Sequence, residues 1–235
     1  MKKTNRPGGG AMFDNIAHRY DLLNRIMSLG LDARWRRKAV DSLVAKIPTG
    51  GRILDLATGT GDIALTIAKQ RPDVTVVGVD PSENMLEIAR KKSTSNRLSF
   101  AMGQAESLDF PDNSFDGAVM SFGIRNVPDR ELALRELNRV LTPNGRLVLL
   151  ELSEPKRSWW TAPSRFYVHN IVPRLGAILS GAKEYRYLQT SIEAFPPAEE
   201  FERTIQGANF ESTEVASLMF GVAHIYSANK TPISA

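Results

Sequence analysis

Cysteine is absent from the 235-residue chain, and histidine occurs only three times, at His18, His169 and His224. The first absence excludes disulfide scaffolds, thiol catalysis, Fe–S clusters and zinc sites built on cysteine. The second leaves no histidine spacing that would assemble a metal centre, so no metal is expected. Long apolar runs are also missing: none approaches the ~18 residues that a bilayer-spanning helix needs. Met1-Lys2-Lys3 begins as a secretory leader does, but Thr4 to Gly10 is polar and glycine-rich where an apolar stretch should follow. The expected location is therefore the cytoplasm, with any membrane contact peripheral and at the inner face.

The rest of the composition is ordinary. Hydrophobic residues make up 42% and charged residues 24%, which excludes disorder, collagen and coiled coil as descriptions of the whole chain. The length suits one good-sized domain. A net charge of +4 is a mild excess. It is compatible with an anionic membrane surface and does not call for a nucleic-acid partner.

Residues 1–11 read as a disordered basic arm, and 231–235 as a disordered tail. Between them, 12–230 reads as a single domain. Phe13, Ile16, Ala17, Tyr20, Leu23 and Met27 recur at helical spacing. Gly30 closes that helix, and Asp32 is read as the cap of a second one running to Ile47. Beyond Pro48-Thr49-Gly50-Gly51 the rhythm becomes strand, turn, helix. Strands are predicted over Ile53–Ala57, Val74–Val79, Leu98–Met102, Phe115–Met120 and Arg146–Glu151. The helices between them start near Asp62, Ser82 and Asp129. Such alternation implies βαβ units and a parallel sheet. The stretch 154–195, with Trp159, Trp160, Phe166, Tyr167, Tyr185 and Tyr187, reads as an inserted helical segment. After Pro196-Pro197 come a helix (Ala198–Gln206) and two strands too close in sequence to be parallel. The predicted fold is α/β and Rossmann-like: seven strands, five of them parallel, with a C-terminal antiparallel hairpin.

The sharpest local motif is Asp55-Leu56-Ala57-Thr58-Gly59-Thr60-Gly61-Asp62, where the first strand ends. Gly59 and Gly61 let the backbone turn tightly and approach a ligand, with Thr60 between them. Asp80, ending the second strand, is placed to accept from both hydroxyls of a ribose. These features suit a nicotinamide dehydrogenase almost as well as a methyltransferase, and Ala64 even fills the third glycine position of the dinucleotide pattern. Asp55 separates the two. A carboxylate just before the cradle repels a pyrophosphate, whereas S-adenosylmethionine carries an ammonium and a sulfonium and no phosphate. The plainer role for Asp55 is to bond amides of its own loop, and both roles are compatible. Gln104 and Ala105 follow the third strand, where a side-chain amide and a backbone amide can read an adenine edge. Ser121 follows the fourth, at the face where open α/β sheets bind ligands. Ordinary loop polarity is the alternative for Gln104 and Ser121.

From Met12 to Lys230 the chain resembles the ubiquinone/menaquinone C-methyltransferases. The resemblance rests on Met12-Phe13-Asp14-Asn15-Ile16-Ala17, Tyr20-Asp21-Leu22-Leu23-Asn24, Trp35-Arg36 and Phe122-Gly123-Ile124-Arg125-Asn126-Val127. It continues through Arg139-Val140-Leu141, Glu151-Leu152-Ser153 and Tyr185-Arg186-Tyr187-Leu188. Departures are Thr58 where the family has glycine, Asp32 where it has histidine, Thr142 and Asn144 for Lys and Gly, and Glu154 for Lys. Thr58 is expected to crowd the cofactor.

The resemblance implies methyl transfer from S-adenosylmethionine to a ring carbon of a polyprenylated quinol, demethylmenaquinol being the favoured substrate. The ubiquinone-pathway methoxy-benzoquinol and an unrelated phenolic small molecule are the alternatives, and a non-catalytic cofactor-binding protein is the reading of another class. The family's cofactor contacts carry over onto Thr60, Asp80, Gln104, Ala105 and Ser121. Arg125 becomes the catalytic candidate, holding a developing phenolate directly or through a water, because an arginine is too basic to accept a proton itself. An ion pair with Asp129 or Glu131 is the competing role for Arg125. His18 and His169 remain candidate bases. Lys156, Arg157, Arg165 and Arg174 interleave with aromatic residues in a mix that suits a membrane headgroup interface. A helical cap or a homodimer contact explains the same segment equally well.

Overall fold

In the computed structural model the described residues are 28, 30–155 and 189–232. Their elements are α1 (Asp32–Val44), β1 (Arg52–Leu56), α2 (Asp62–Gln70), β2 (Thr75–Asp80), α3 (Glu83–Lys92), β3 (Leu98–Met102) and β4 (Phe115–Ser121). There follow α4 (Arg130–Val140), β5 (Leu141–Leu152), α5 (Ala198–Gly207), β6 (Phe210–Leu218) and β7 (Ala223–Lys230). The predicted helix over 12–30, the basic arm, most of the segment 154–195 and residues 233–235 lie outside the described residues.

Seven strands form one sheet in the order β3-β2-β1-β4-β5-β7-β6. The pairs among β1 to β5 are parallel, and β7 runs antiparallel to both β5 and β6. The reversed strand therefore sits one place in from the edge. Strands β1, β2 and β4 are apolar and buried on both faces, as a parallel sheet covered on both sides requires. Leu54, Leu56, Ala118 and Met120 face α4 and α5, packing with Leu134, Leu137, Phe201 and Ile205. Ile53, Val76, Val119 and Val148 face α1 and α2, meeting Val40, Leu43 and Ile67. Asp55 and Ser121 continue the second set by strand alternation, and Glu151 continues the first.

Three local expectations are corrected. Asp32 lies inside α1, where its amide donates to the Ser28 hydroxyl and its carboxylate accepts from it; Leu31 occupies the cap position. Strand β5 starts at Leu141, ahead of the predicted Arg146. The Asn144-Gly145 turn is absorbed as an irregularity, since β4 pairs Phe115 with Leu141 and then Gly117 with Arg146. Thr231, expected in the tail, donates to the Asn209 carbonyl through both its amide and its hydroxyl. The caps predicted at Ser82 and Asp129 are present: each side chain accepts an amide of the first helical turn.

Candidate functional site

The carboxyl ends of β1, β2 and β4 lie side by side, and the residues singled out in the sequence sit there. Strand β1 leaves the sheet through Ala57, whose φ of 55° is unusual for a residue with a Cβ. Gly59 and Gly61 follow at φ 56° and 84°, and Gly61 caps α2 in the left-handed conformation. A Cβ on Gly59 would meet nothing within 4 Å, so the loop presents bare backbone to open space. On β4, Phe122 repeats the same left turn at φ 56°. A Cβ on the next residue, Gly123, would lie 2.7 Å from that of Ala57, so the two strand ends approach closely. Non-glycine residues held in this region mark places where the surrounding structure imposes the geometry.

Asp55 is buried at this point. Its Oδ2 accepts from the Thr58 hydroxyl at 2.6 Å and from the Ala64 amide at 3.0 Å. Its Oδ1 is equally buried and meets no hydrogen-bond partner among the described residues. Burial pushes the Asp55 carboxyl up to about 7; the two hydrogen bonds oppose that, the charge of Asp80 adds to it and Arg36 lowers it. Thr58 does not crowd the cradle, contrary to expectation. Its hydroxyl turns inward to Asp55, and Gly78 on β2 leaves it room, since a Cβ there would sit 2.9 Å from Thr58 Oγ1.

Asp80 ends β2 and is also buried. Its Oδ2 accepts from the Gly59 amide and its Oδ1 from the Ser82 amide, each at 2.9 Å. The carboxylate is thereby oriented across the loop. Past β3, Gln104 is exposed and Ala105 buried, in a turn closed by the Ser107 amide on the Gln104 carbonyl. Ser121 Oγ is buried without a partner among the described residues. Asp55, Gly59, Thr60, Gly61, Asp80 and Ser121 are thus gathered on three neighbouring strand ends, with Gln104 and Ala105 one strand further out.

Arg125 occupies a short 3₁₀ turn after β4, and its side chain is 6% exposed. The guanidinium pairs with neither Asp129 nor Glu131. Nη1 donates to Glu151 Oε1 at 2.6 Å and to the Phe122 carbonyl at 2.9 Å, while the Arg125 amide donates to Glu151 Oε2. The Leu152 amide also donates to Glu151, which is fully buried. This is a buried, hydrogen-bonded ion pair clamping β5 to the turn after β4.

Sequence reading missed Glu151, Arg36 and Lys92 as functional candidates. Arg36 Nη1 reaches Asp62 Oδ2 at 2.8 Å, and Lys92 Nζ reaches both Asp62 Oδ1 and Thr60 Oγ1 at 3.0 Å. Trp35-Arg36 and Glu151-Leu152-Ser153 stood among the family motifs, but nothing local assigned these side chains a partner. Chemically, the arrangement sets two buried acids, Asp55 with one unpartnered oxygen among the described residues, beside bare glycine backbone. It suits a ligand bearing a cation and a diol, with that buried, unpartnered Asp55 oxygen beside the loop and the Asp80 carboxylate held across it. S-Adenosylmethionine fits that description.

Residues 1–230 match the ubiE/COQ5 methyltransferase family. A demethylmenaquinone methyltransferase of Thermus thermophilus is 47% identical over 92% of this chain and 98% of its own. The ubiquinone/menaquinone biosynthesis C-methyltransferase UbiE of Geotalea uraniireducens is 42% identical, covering 93% of this chain and 94% of its own. Among solved structures, a SAM-dependent methyltransferase of Thermotoga maritima, described as a possible histamine N-methyltransferase, superposes with a TM-score of 0.64. It is 24% identical and covers 94% of this chain and 99% of that one, a likeness of fold.

Proposed function

Because the chain belongs to the ubiE/COQ5 methyltransferase family and is an S-adenosylmethionine-dependent C-methyltransferase, we propose that it methylates a ring carbon of a polyprenylated quinol, demethylmenaquinol in the first place. The observation that carries the cofactor assignment is Asp55: a buried carboxylate with one oxygen satisfied by its loop and the other unpartnered among the described residues. That oxygen is suited to a cation and unsuited to a pyrophosphate. The preference for demethylmenaquinol follows the relative that bears that name, at 47% identity. Relatives named for both pathways, at 42–44%, keep the methoxy-benzoquinol as the second reading.

When bound, S-adenosylmethionine supplies an already electrophilic methyl group. The protein's task is to position, exclude water and favour the ionised hydroxyl of the substrate. Asp80 orients the ribose, Gln104 and Ala105 take the adenine edge, and Thr60, Gly59 and Gly61 line the cradle. Ser121 Oγ is an available hydrogen-bonding group at the end of β4. Arg125 is the residue proposed to favour the phenolate, with its guanidinium held by Glu151 rather than free to move. A polyprenyl quinol resides in the bilayer, and among the described residues no helix is long and apolar enough to cross it. The basic and aromatic sequence around Trp159 and Trp160 is the proposed membrane-facing surface, and it lies outside the described residues.

Incubation with S-adenosylmethionine and either demethylmenaquinol or the methoxy-benzoquinol, with mass spectrometry of the products, tests the reading. Methylation of the first and not the second is expected. Methylation of neither overturns it. Sedimentation with anionic vesicles tests the surface: Trp159→Ala/Trp160→Ala should lose vesicle binding, and wild-type binding by that variant places the membrane elsewhere.

A further inference from the structure

We infer that Arg36 is the residue that receives the α-carboxylate of the methyl donor. The inference rests on the S-adenosylmethionine reading and deepens it. The sheet order fixes the direction in which the ligand lies. Adenine at Gln104–Ala105 is beside β3 and ribose at Asp80 is on β2, so the methionyl end must continue past β1 toward β4. Arg36 stands at that far end. It projects from α1, which packs on β4, β5 and α2. Its Nη1 is 2.8 Å from Asp62, the first helical residue after the glycine loop, and 3.4 Å from Asp32. Its guanidinium carbon is 5.7 Å from the centre of the Phe122 ring, the residue after Ser121. Its charge is also felt at Asp55. Asp62, Phe122 and Asp55 therefore place one cation between the ends of β1 and β4.

Charge and geometry both favour this assignment. Asp55, Asp62 and Asp80 surround the loop, so a ligand carboxylate entering there needs a cation beside it. Lys92 comes from α3, which packs on β2 and β3, and its ammonium is engaged with Thr60 and with the other oxygen of Asp62. Arg36 is on the methionyl side and has donors in reserve. Among the described residues only Nη1 makes a hydrogen bond, leaving Nη2 and Nε, a planar pair matched to a carboxylate. The side chain is 14% exposed, so it is held at the mouth of the site rather than extended into solvent. The zwitterionic end of the ligand is then read as a whole, its ammonium toward Asp55 and its carboxylate toward Arg36.

Truncating the ligand separates this role from a structural one. S-Adenosylhomocysteine carries the amino-acid end, and 5′-methylthioadenosine keeps the adenosine and thioether without it. By calorimetry, Arg36→Gln should weaken S-adenosylhomocysteine by at least about tenfold, the size of a lost charge-assisted contact, and change methylthioadenosine less than about twofold. Arg36→Lys should fall between, keeping the charge without the planar pair. Asp62→Asn, which removes the charge hydrogen-bonded to Arg36 Nη1, should leave S-adenosylhomocysteine affinity at or above wild type. Equal weakening of both ligands in Arg36→Gln overturns the inference, since the arginine would then be shaping the loop. A loss in Asp62→Asn matching that in Arg36→Gln overturns it too, by assigning the effect to the Arg36–Asp62 bridge. Failure of the unaltered protein to bind either ligand defeats the S-adenosylmethionine reading itself.

Discussion

Asp55 and Glu151 are both buried acids at strand ends, on opposite faces of the sheet, and their surroundings differ in one respect. Glu151 has an arginine: both of its oxygens accept from Arg125, and the Leu152 amide adds a third donor. Asp55 has neutral donors on one oxygen and no partner among the described residues on the other. A buried carboxylate without a counter-ion is disfavoured as an anion, and the upward shift of Asp55 to about 7 expresses that. The contrast separates an ion pair that completes the fold from an acid proposed to be completed by a ligand.

The largest effect is expected from breaking the satisfied pair. Arg125→Ala strands Glu151 in the interior and should cost about 3–5 kcal/mol in urea unfolding. A loss below about 1 kcal/mol would show that the pair is not held in solution. Arg125→Met with Glu151→Gln removes both charges together and should recover much of the stability. If turnover stays low in that double variant, the charge of Arg125 serves the chemistry as well as the fold.

Asp55 should respond in the opposite sense. Its carboxyl holds a proton more tightly in the fold, at about 7 against 3.8, so its favourable contribution is full below pH 3.8. That contribution is lost as pH rises to about 7, and above that the buried anion is a constant cost. Asp55→Asn should therefore stabilise the ligand-free protein by roughly 1–3 kcal/mol at pH 8 and by nothing at pH 4. The same variant should bind S-adenosylmethionine at least about tenfold more weakly. Thermal melts across that pH range decide it, and equal melting shifts at both ends would mean that Asp55 is ionised throughout. In the unaltered protein, affinity should drop about tenfold between pH 8 and pH 6, because binding a cation there requires release of the Asp55 proton.

Asp80→Ala comes next, with about 1.5–3 kcal/mol of cofactor affinity lost per charge-assisted bond. Calorimetry showing unchanged affinity would remove Asp80 from the ribose site. The smallest change sharpens the comparison most. Thr58→Val takes one neutral donor from Asp55, worth about 1 kcal/mol. It should move the pH dependence of cofactor binding upward by somewhat less than one unit, and an unmoved profile would dissociate Thr58 from that titration.

Local pattern carried a large part of this molecule. Strand–turn–helix alternation predicted the α/β sheet, and Asp55, the two glycines, Asp80 and Ser121 emerged because strand ends and ligand-cradling loops have a local signature. Cap positions at Ser82 and Asp129 were legible for the same reason, since the capping side chain and the amide it accepts are three residues apart. What was illegible is what depends on distant partners. Asp32 reads as a cap, but the Ser28 hydroxyl engages both its amide and its carboxylate, and the residue lies inside α1. Arg125 reads as a partner for the nearby Asp129 or Glu131, yet β5 brings Glu151 to it from 26 residues away. Thr58 reads as an intrusion until Gly78 on the adjoining strand is seen to make room for it. Arg36 precedes Asp62 by 26 residues and joins the site only because α1 packs against the sheet beside α2. Periodicity records which face of an element is apolar, and a short loop motif records its own backbone geometry. Which charges meet across the sheet is settled by how those faces close on one another, and the packing of α1 and β5 decided it here.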